Sequence, residues 1–223
     1  MTASQPGGLQ ELTSFTVTAE YRRDETTFDI WAPGGHEPAA RLHKRGPVLN
    51  LDRFSVLTGP GLGEPAGQVA RNGAWAADGA QIGTVAYQVS KTDKALQGPG
   101  LYKLRAKHWR VEQAGLPPLT GGPTGLTARL RFNPVTDAVL NSDVLTGQNP
   151  IDYLVPFRFR FDMAGAPGFE ISRRAGRSTL HVSVQDPRID RRLVFACVVY
   201  INSLHNPTLR QTAVNLTTNP RKS

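Results

Sequence analysis

The chain has 223 residues, 39% hydrophobic and 20% charged, which is ample for a sizeable core and unlike a disordered or fibrous composition. Its formal net charge is +8 and its sequence pI near 10.1, a balance that favours polyanions without choosing between nucleic acid and anionic lipid. No run approaches the roughly 18–20 apolar residues of a membrane span, the polar first twelve residues are no secretory signal, and the single Cys197 excludes an internal disulfide. The expectation is a cytoplasmic protein with no transmembrane segment.

Along the chain the dominant pattern is alternation with a period of two, the mark of strands with one buried face. Phe15, Val17 and Ala19 alternate with Thr16 and Thr18, and Phe28 and Ile30 follow a polar turn. Residues 40–44, 54–57, 68–71, 82–89, 101–111, 126–132, 153–161, 169–173 and 179–184 continue the series. Turn residues punctuate them at 33–35, 59–61, 78–79, 98–100 and 165–168. Many short strands so spaced predict an antiparallel sandwich or barrel. Residues 115–125 and 134–150 read as long loops. The expected organisation is a flexible tail at 1–12, one domain over 13–206 and a second flexible tail at 207–223.

One segment breaks the alternation. Asp186 offers an N-cap acceptor and Pro187 suits a first helical position. The unbroken apolar run 193–201 follows, and Asn206-Pro207 supplies a stop. The β-branched Val194, Val198, Val199 and Ile201 would suit a strand. However, the stretch between the two prolines is too long for one ordinary strand, so the prediction is a helix. Its run leaves no polar stripe, so protein must surround it on every side.

Short strands throughout and one enclosed helix at the end form an unusual pairing. The residues GFEISRR (168–174) and STLHVSV (178–184) read as a final hairpin, and IDRRLVFA (189–196) as the start of a threaded helix. In these features the chain resembles the tubby C-terminal-like superfamily, as a bacterial member near the LURP-one-related proteins and phospholipid scramblases. The resemblance spans roughly residues 15–205, with its specific part in the last forty or so. It implies a mainly β fold: a closed antiparallel barrel of about twelve strands around a buried hydrophobic C-terminal helix. It brings no catalytic motif. No phosphoinositide-contacting lysine or arginine of the tubby proteins matches a position here, and the scramblases' cysteine cluster is absent, which speaks against scramblase activity.

Residues able to carry chemistry are sparse. His36, His43, His108, His181 and His205 are scattered, with no metal-ligand spacing and no second cysteine. Asp186 and Asp190, four apart, could set two carboxylates side by side, but capping and pairing with Arg191 or Arg192 explain them better. Cys197 lies in apolar surroundings that suit an inert core thiol. GPGLGEPAG (59–67) superficially suggests a phosphate-cradling loop, yet its prolines remove donors and a strand, not a helix, follows. No catalytic residue, metal or cofactor is expected.

Basic residues are more informative. Lys103, Arg105 and Lys107 recur at every second position of the 101–111 strand, as do Arg129 with Arg131 and Arg158 with Arg160. Contiguous, they would form a positive strand face over an apolar interior, suited to lipid headgroups or a nucleic-acid backbone. The alternative is a solvated outer wall neutralised by Glu112, Asp152, Asp162 and Glu170. Trp109 shares the parity of the first basic series and could be a stacking platform, a packing residue or a membrane-interface residue. The expected function is a non-catalytic module contacting anionic phospholipid or another phosphate-bearing ligand, peripheral at the inner membrane surface. Nucleic-acid binding and a structural or regulatory protein-interaction role are the alternatives, and the oligomeric state is left open.

Overall fold

A computed structural model describes residues 8–22, 24–45, 53–89, 107–124 and 156–205. Where polar and apolar residues alternate, strands form with one face inward. On Phe157–Met163, Phe157, Phe159 and Phe161 are buried while Arg158 and Arg160 are exposed.

Twelve strands arise in this way: β1 (Ser14–Tyr21), β2 (Glu25–Trp31), β3 (Ala40–Arg45), β4 (Phe54–Thr58), β5 (Glu64–Ala70), β6 (Gly73–Trp75), β7 (Gln81–Val89), β8 (Lys107–Gln113), β9 (Leu119–Pro123), β10 (Phe157–Met163), β11 (Ala166–Arg173) and β12 (Leu180–Val184). Each pairs antiparallel with its sequence neighbour, and β1 also pairs with β12, with Phe15 opposite Val182. The sheet closes into a barrel and leaves no free edge. The helix α1 (Arg191–His205) runs inside it, with Leu193 to Val199, Ile201 and Asn202 all buried.

Two strands escape sequence reading. β6 is only three residues long. β9, LTGGP, lies in what the sequence presents as a loop, because glycine and proline weaken strand propensity. Packing explains its composition: a Cβ on Gly121 would come within 2.4 Å of the Phe161 ring and 2.9 Å of the Trp109 Cβ. Gly83 on β7 is under similar pressure, since a Cβ there would meet the Glu112 carbonyl oxygen at 2.1 Å and Leu193 of α1 at 2.9 Å. The strand expected over 126–132 and the loop over 134–150 lie outside the described residues.

The start of the helix also differs from the sequence expectation. Asp186 accepts the backbone N–H of Arg188 at 2.9 Å and caps a tight turn. Asp190 accepts the N–H of Arg192 at 2.9 Å and is the residue that caps α1, one turn later than Asp186-Pro187 suggests. Residues 8–12, expected in a tail, pack as well. A 3₁₀ turn at Leu9–Glu11 leads to the buried Leu12.

That N-terminal stretch is held by Arg191, which is fully buried. Its Nε donates to the Leu12 carbonyl at 2.7 Å, one terminal nitrogen to that of Gln10 at 2.9 Å, and the other to that of Ile189. Burial pulls this guanidinium below its ordinary range, opposed by nearby Asp190 and Asp186. Arg191→Met should lower unfolding stability by roughly 2–4 kcal/mol, since carbonyls at Gln10 and Leu12 lose a charged donor. Urea unfolding checks this, with the exposed Arg110→Met expected within about 0.5 kcal/mol of the parent.

Candidate anion-binding site at one end of the barrel

Because every strand reverses direction, successive connections alternate between two ends. At the end where α1 enters, the connections 32–39, 59–63, 76–80, 114–118 and 164–165 contain no lysine or arginine. Carboxylates at Glu37, Glu64 and Asp78 border it, while Glu112 and Asp162 stand on the adjoining wall, paired with Arg110 and Arg160. Its arginines follow β12 and are engaged. Arg188 grips Asp186 at 2.6 Å, and Arg192 grips Asp190 at 2.7 Å while donating to the Ala66 carbonyl at 2.9 Å. Gln113 at the end of β8 braces this segment, donating to the Arg188 carbonyl and accepting the Asp190 N–H.

Among the described residues, the opposite end, where α1 emerges, is basic. Arg45 closes β3, Arg53 precedes β4, Arg71 turns between β5 and β6, and Arg174 and Arg177 lie between β11 and β12. Lys44 and Arg173, the sequence neighbours of Arg45 and Arg174, point inward and are buried, against Phe54 and Phe157 respectively. Arg53 lies 3.8 Å over the Trp75 ring and Arg71 5.8 Å over Tyr200 of α1. Among the described residues, Arg45, Arg174 and Arg177 have no carboxylate partner. The carboxylates of this end among the described residues gather at one hairpin, β1–β2, where Glu20 and Glu25 pair with Arg22. The helix dipole runs in the opposite sense, its positive end among carboxylates and its negative end among cations, an arrangement that favours α1.

The basic residues singled out from sequence are placed only in part. Arg158 and Arg160 do face outward, but each sits beside a carboxylate, Glu170 at 3.1 Å and Asp162 at 2.8 Å. Lys107 begins β8, and Lys103, Arg105, Arg129 and Arg131 lie outside the described residues. Trp109, which shares the parity of the Lys103–Arg105–Lys107 series, is fully buried against Phe159, Phe161 and Tyr200. It is therefore a packing residue, and Arg110 and Glu112 are the outward residues of β8. Sequence reading passed over Arg45, Arg71, Arg174 and Arg177, which share no strand periodicity. Their only signal is that each lies in or beside a turn of the same parity in the up-and-down order.

Other candidate chemistry is occupied by structure. Asp186 and Asp190 each hold an arginine. Residues 59–63 form the hairpin turn between β4 and β5, around Pro60–Leu62, and residues 64–67 begin β5. Cys197 is buried, and desolvation pushes its thiol far above the ordinary range. Among the described residues no group of histidine, cysteine and carboxylates could hold a metal ion, and no helix is long and apolar enough to cross a membrane. Comparison with known proteins finds no matching family model, no matching curated protein and no matching solved structure.

The Asp186 carboxyl is held below its usual range, first by the side chain of Arg188 and then by its backbone N–H. A lowered folded-state value stabilises the protein above the unfolded pKa of about 4 and ceases to do so as pH falls through the folded value. Asp186→Asn should therefore be less stable than the parent at pH 7, with the gap closing as pH drops below about 4. Urea midpoints across that range test it; a gap independent of pH would contradict it. Cys197 should react with thiol reagents only after denaturant is added.

Proposed function

We propose that the protein is a non-catalytic module that binds the phosphate-bearing surface of anionic phospholipid, peripheral to the inner face of a membrane. We further propose that it belongs with the tubby C-terminal-like superfamily. A closed twelve-strand barrel around a buried C-terminal helix is the fold that resemblance implies.

The observation that carries the reading is the sorting of charge. Arg45, Arg174 and Arg177 stand exposed without described carboxylate partners, while turns free of lysine and arginine lie at the far end. Each basic residue near an anionic membrane surface contributes about 1 kcal/mol, so a few give reversible attachment without a lipid anchor. The guanidinium groups also supply planar donor pairs that match phosphate oxygens. The strand face of Arg158 and Arg160 supports the reading less well, because exposed ion pairs already offset those charges.

Sedimentation with phosphatidylserine-containing vesicles at low ionic strength tests this directly. The protein should pellet with them, stay in solution with pure phosphatidylcholine, and be released as salt is raised past about 0.1 M, where screening acts over about 10 Å. Failure to bind anionic vesicles at low salt removes the lipid reading. Tight, salt-sensitive binding to DNA in a parallel titration, with weak vesicle binding, would put nucleic acid in its place.

A further inference from the structure

We infer that Asn72 is a covalent modification site, at which local opening of the β5–β6 hairpin is recorded by conversion of asparagine to isoaspartate. The inference is independent of the ligand proposed above.

Asn72-Gly73 is the one Asn-Gly pair in the chain, and packing explains why glycine stands there. β5 and β6 are joined by the short turn Arg71-Asn72, with Asn72 exposed and Gly73 buried at the start of β6. A Cβ on Gly73 would lie 2.4 Å from the Gly83 carbonyl oxygen of β7 and 3.3 Å from the Thr84 Cα, so the close approach of β7 demands a residue without one. Glycine after asparagine is also the arrangement most open to ring closure, because no side chain shields the following backbone nitrogen. The sheet thus imposes a reactive pair on a surface turn.

In the ring closure the Gly73 nitrogen gives up its proton and bonds to Cγ of Asn72, while the bond from Cγ to the side-chain nitrogen breaks and ammonia leaves. Water then opens the cyclic imide. Addition at the Asn72 main-chain carbonyl gives isoaspartate, with the chain running through Cβ and Cγ, and addition at Cγ gives aspartate. Closure requires rotation about the Asn72 Cα–C bond, which swings the carbonyl oxygen. In the folded barrel that oxygen accepts the Val85 N–H at 3.0 Å, and Gly73 is paired with Ala70 of β5 and Thr84 of β7. The intact sheet therefore holds the pair out of reaction, and opening of this hairpin releases it. Isoaspartate inserts an extra backbone carbon, so the Val85 bond and both Gly73 pairings cannot be restored together. β6 has only three residues, all buried, and has no length to spare for the lost register. The opening is thus recorded irreversibly, in a product that suits the class of methyltransferases that esterify isoaspartyl carboxylates.

The experiment incubates the full chain at mildly alkaline pH, folded and in urea, and maps its peptides by mass. In urea the peptide carrying Asn72 and Gly73 should exchange its side-chain amide for a carboxyl, and an isoaspartyl methyltransferase with a labelled methyl donor should label it. In the folded protein the same change should be slower by about tenfold or more, and should speed up in urea below the unfolding midpoint. Asn72→Gln, which disfavours the ring, should remove the label from this peptide under both conditions. Asn72→Asp carries the new charge without the extra carbon and should unfold near the parent's urea midpoint. The isoaspartyl form, separated by ion exchange, should unfold at a lower one. Equal rates in folded and unfolded protein, no change at residue 72 in urea, or an isoaspartyl form as stable as Asn72→Asp would each overturn the inference.

Discussion

A helix without a polar stripe imposes the governing constraint on this protein. From Leu193 to Val199 every residue of α1 is buried, so no arrangement that leaves one side of it in water is stable. A flat sheet could cover only one side. A barrel closed by the β1–β12 pairing covers all of them and satisfies the backbone of every strand at once. The close approaches follow from the same requirement. Leu193 presses on β7 where Gly83 has no side chain, and Phe161 presses on β9 at Gly121. These glycines are where a strand yields space to what it encloses.

Enclosure makes the helix ends the difficult places, because their polar groups must be satisfied at the barrel rim. At the entry end this is done with charge. Asp190 caps α1 and is gripped by Arg192, Asp186 caps the preceding turn and is gripped by Arg188, and Arg191 turns inward to donate to carbonyls of the N-terminal segment. Adjacent arginines thus do different work. Arg191 ties residues 8–12 down, and Arg192 crosses to β5 at Ala66. These carboxylates and arginines are neutralised by one another, whereas Arg45, Arg174 and Arg177 at the exit end have no carboxylate partner among the described residues.

An up-and-down meander turns an ordinary feature of sequence, the composition of alternate turns, into a polar axis. Arg71 and Arg174 are about a hundred residues apart, yet both lie in connections at the same end. The charges of Arg158 and Arg160, by contrast, stand on the wall beside Glu170 and Asp162 and yield little net field.

Local sequence determined a good deal: the alternation that makes β1 to β5 and β10 to β12 strands, the uninterrupted apolar run that makes α1 a surrounded helix, and the inertness of Cys197. Each depends on period, length or neighbours within a few residues. Tertiary structure decided the rest. It made a strand of LTGGP, because only packing against Phe161 and Trp109 gives Gly121 a reason. It placed the cap at Asp190 instead of Asp186, because Gln113 of β8 holds the Asp190 backbone at the rim and the helix begins only there. It turned Trp109 inward, and it gathered Arg45, Arg71, Arg174 and Arg177 at one end. Spacing along one strand cannot reveal such a gathering, because it depends on which way each strand runs around a closed sheet.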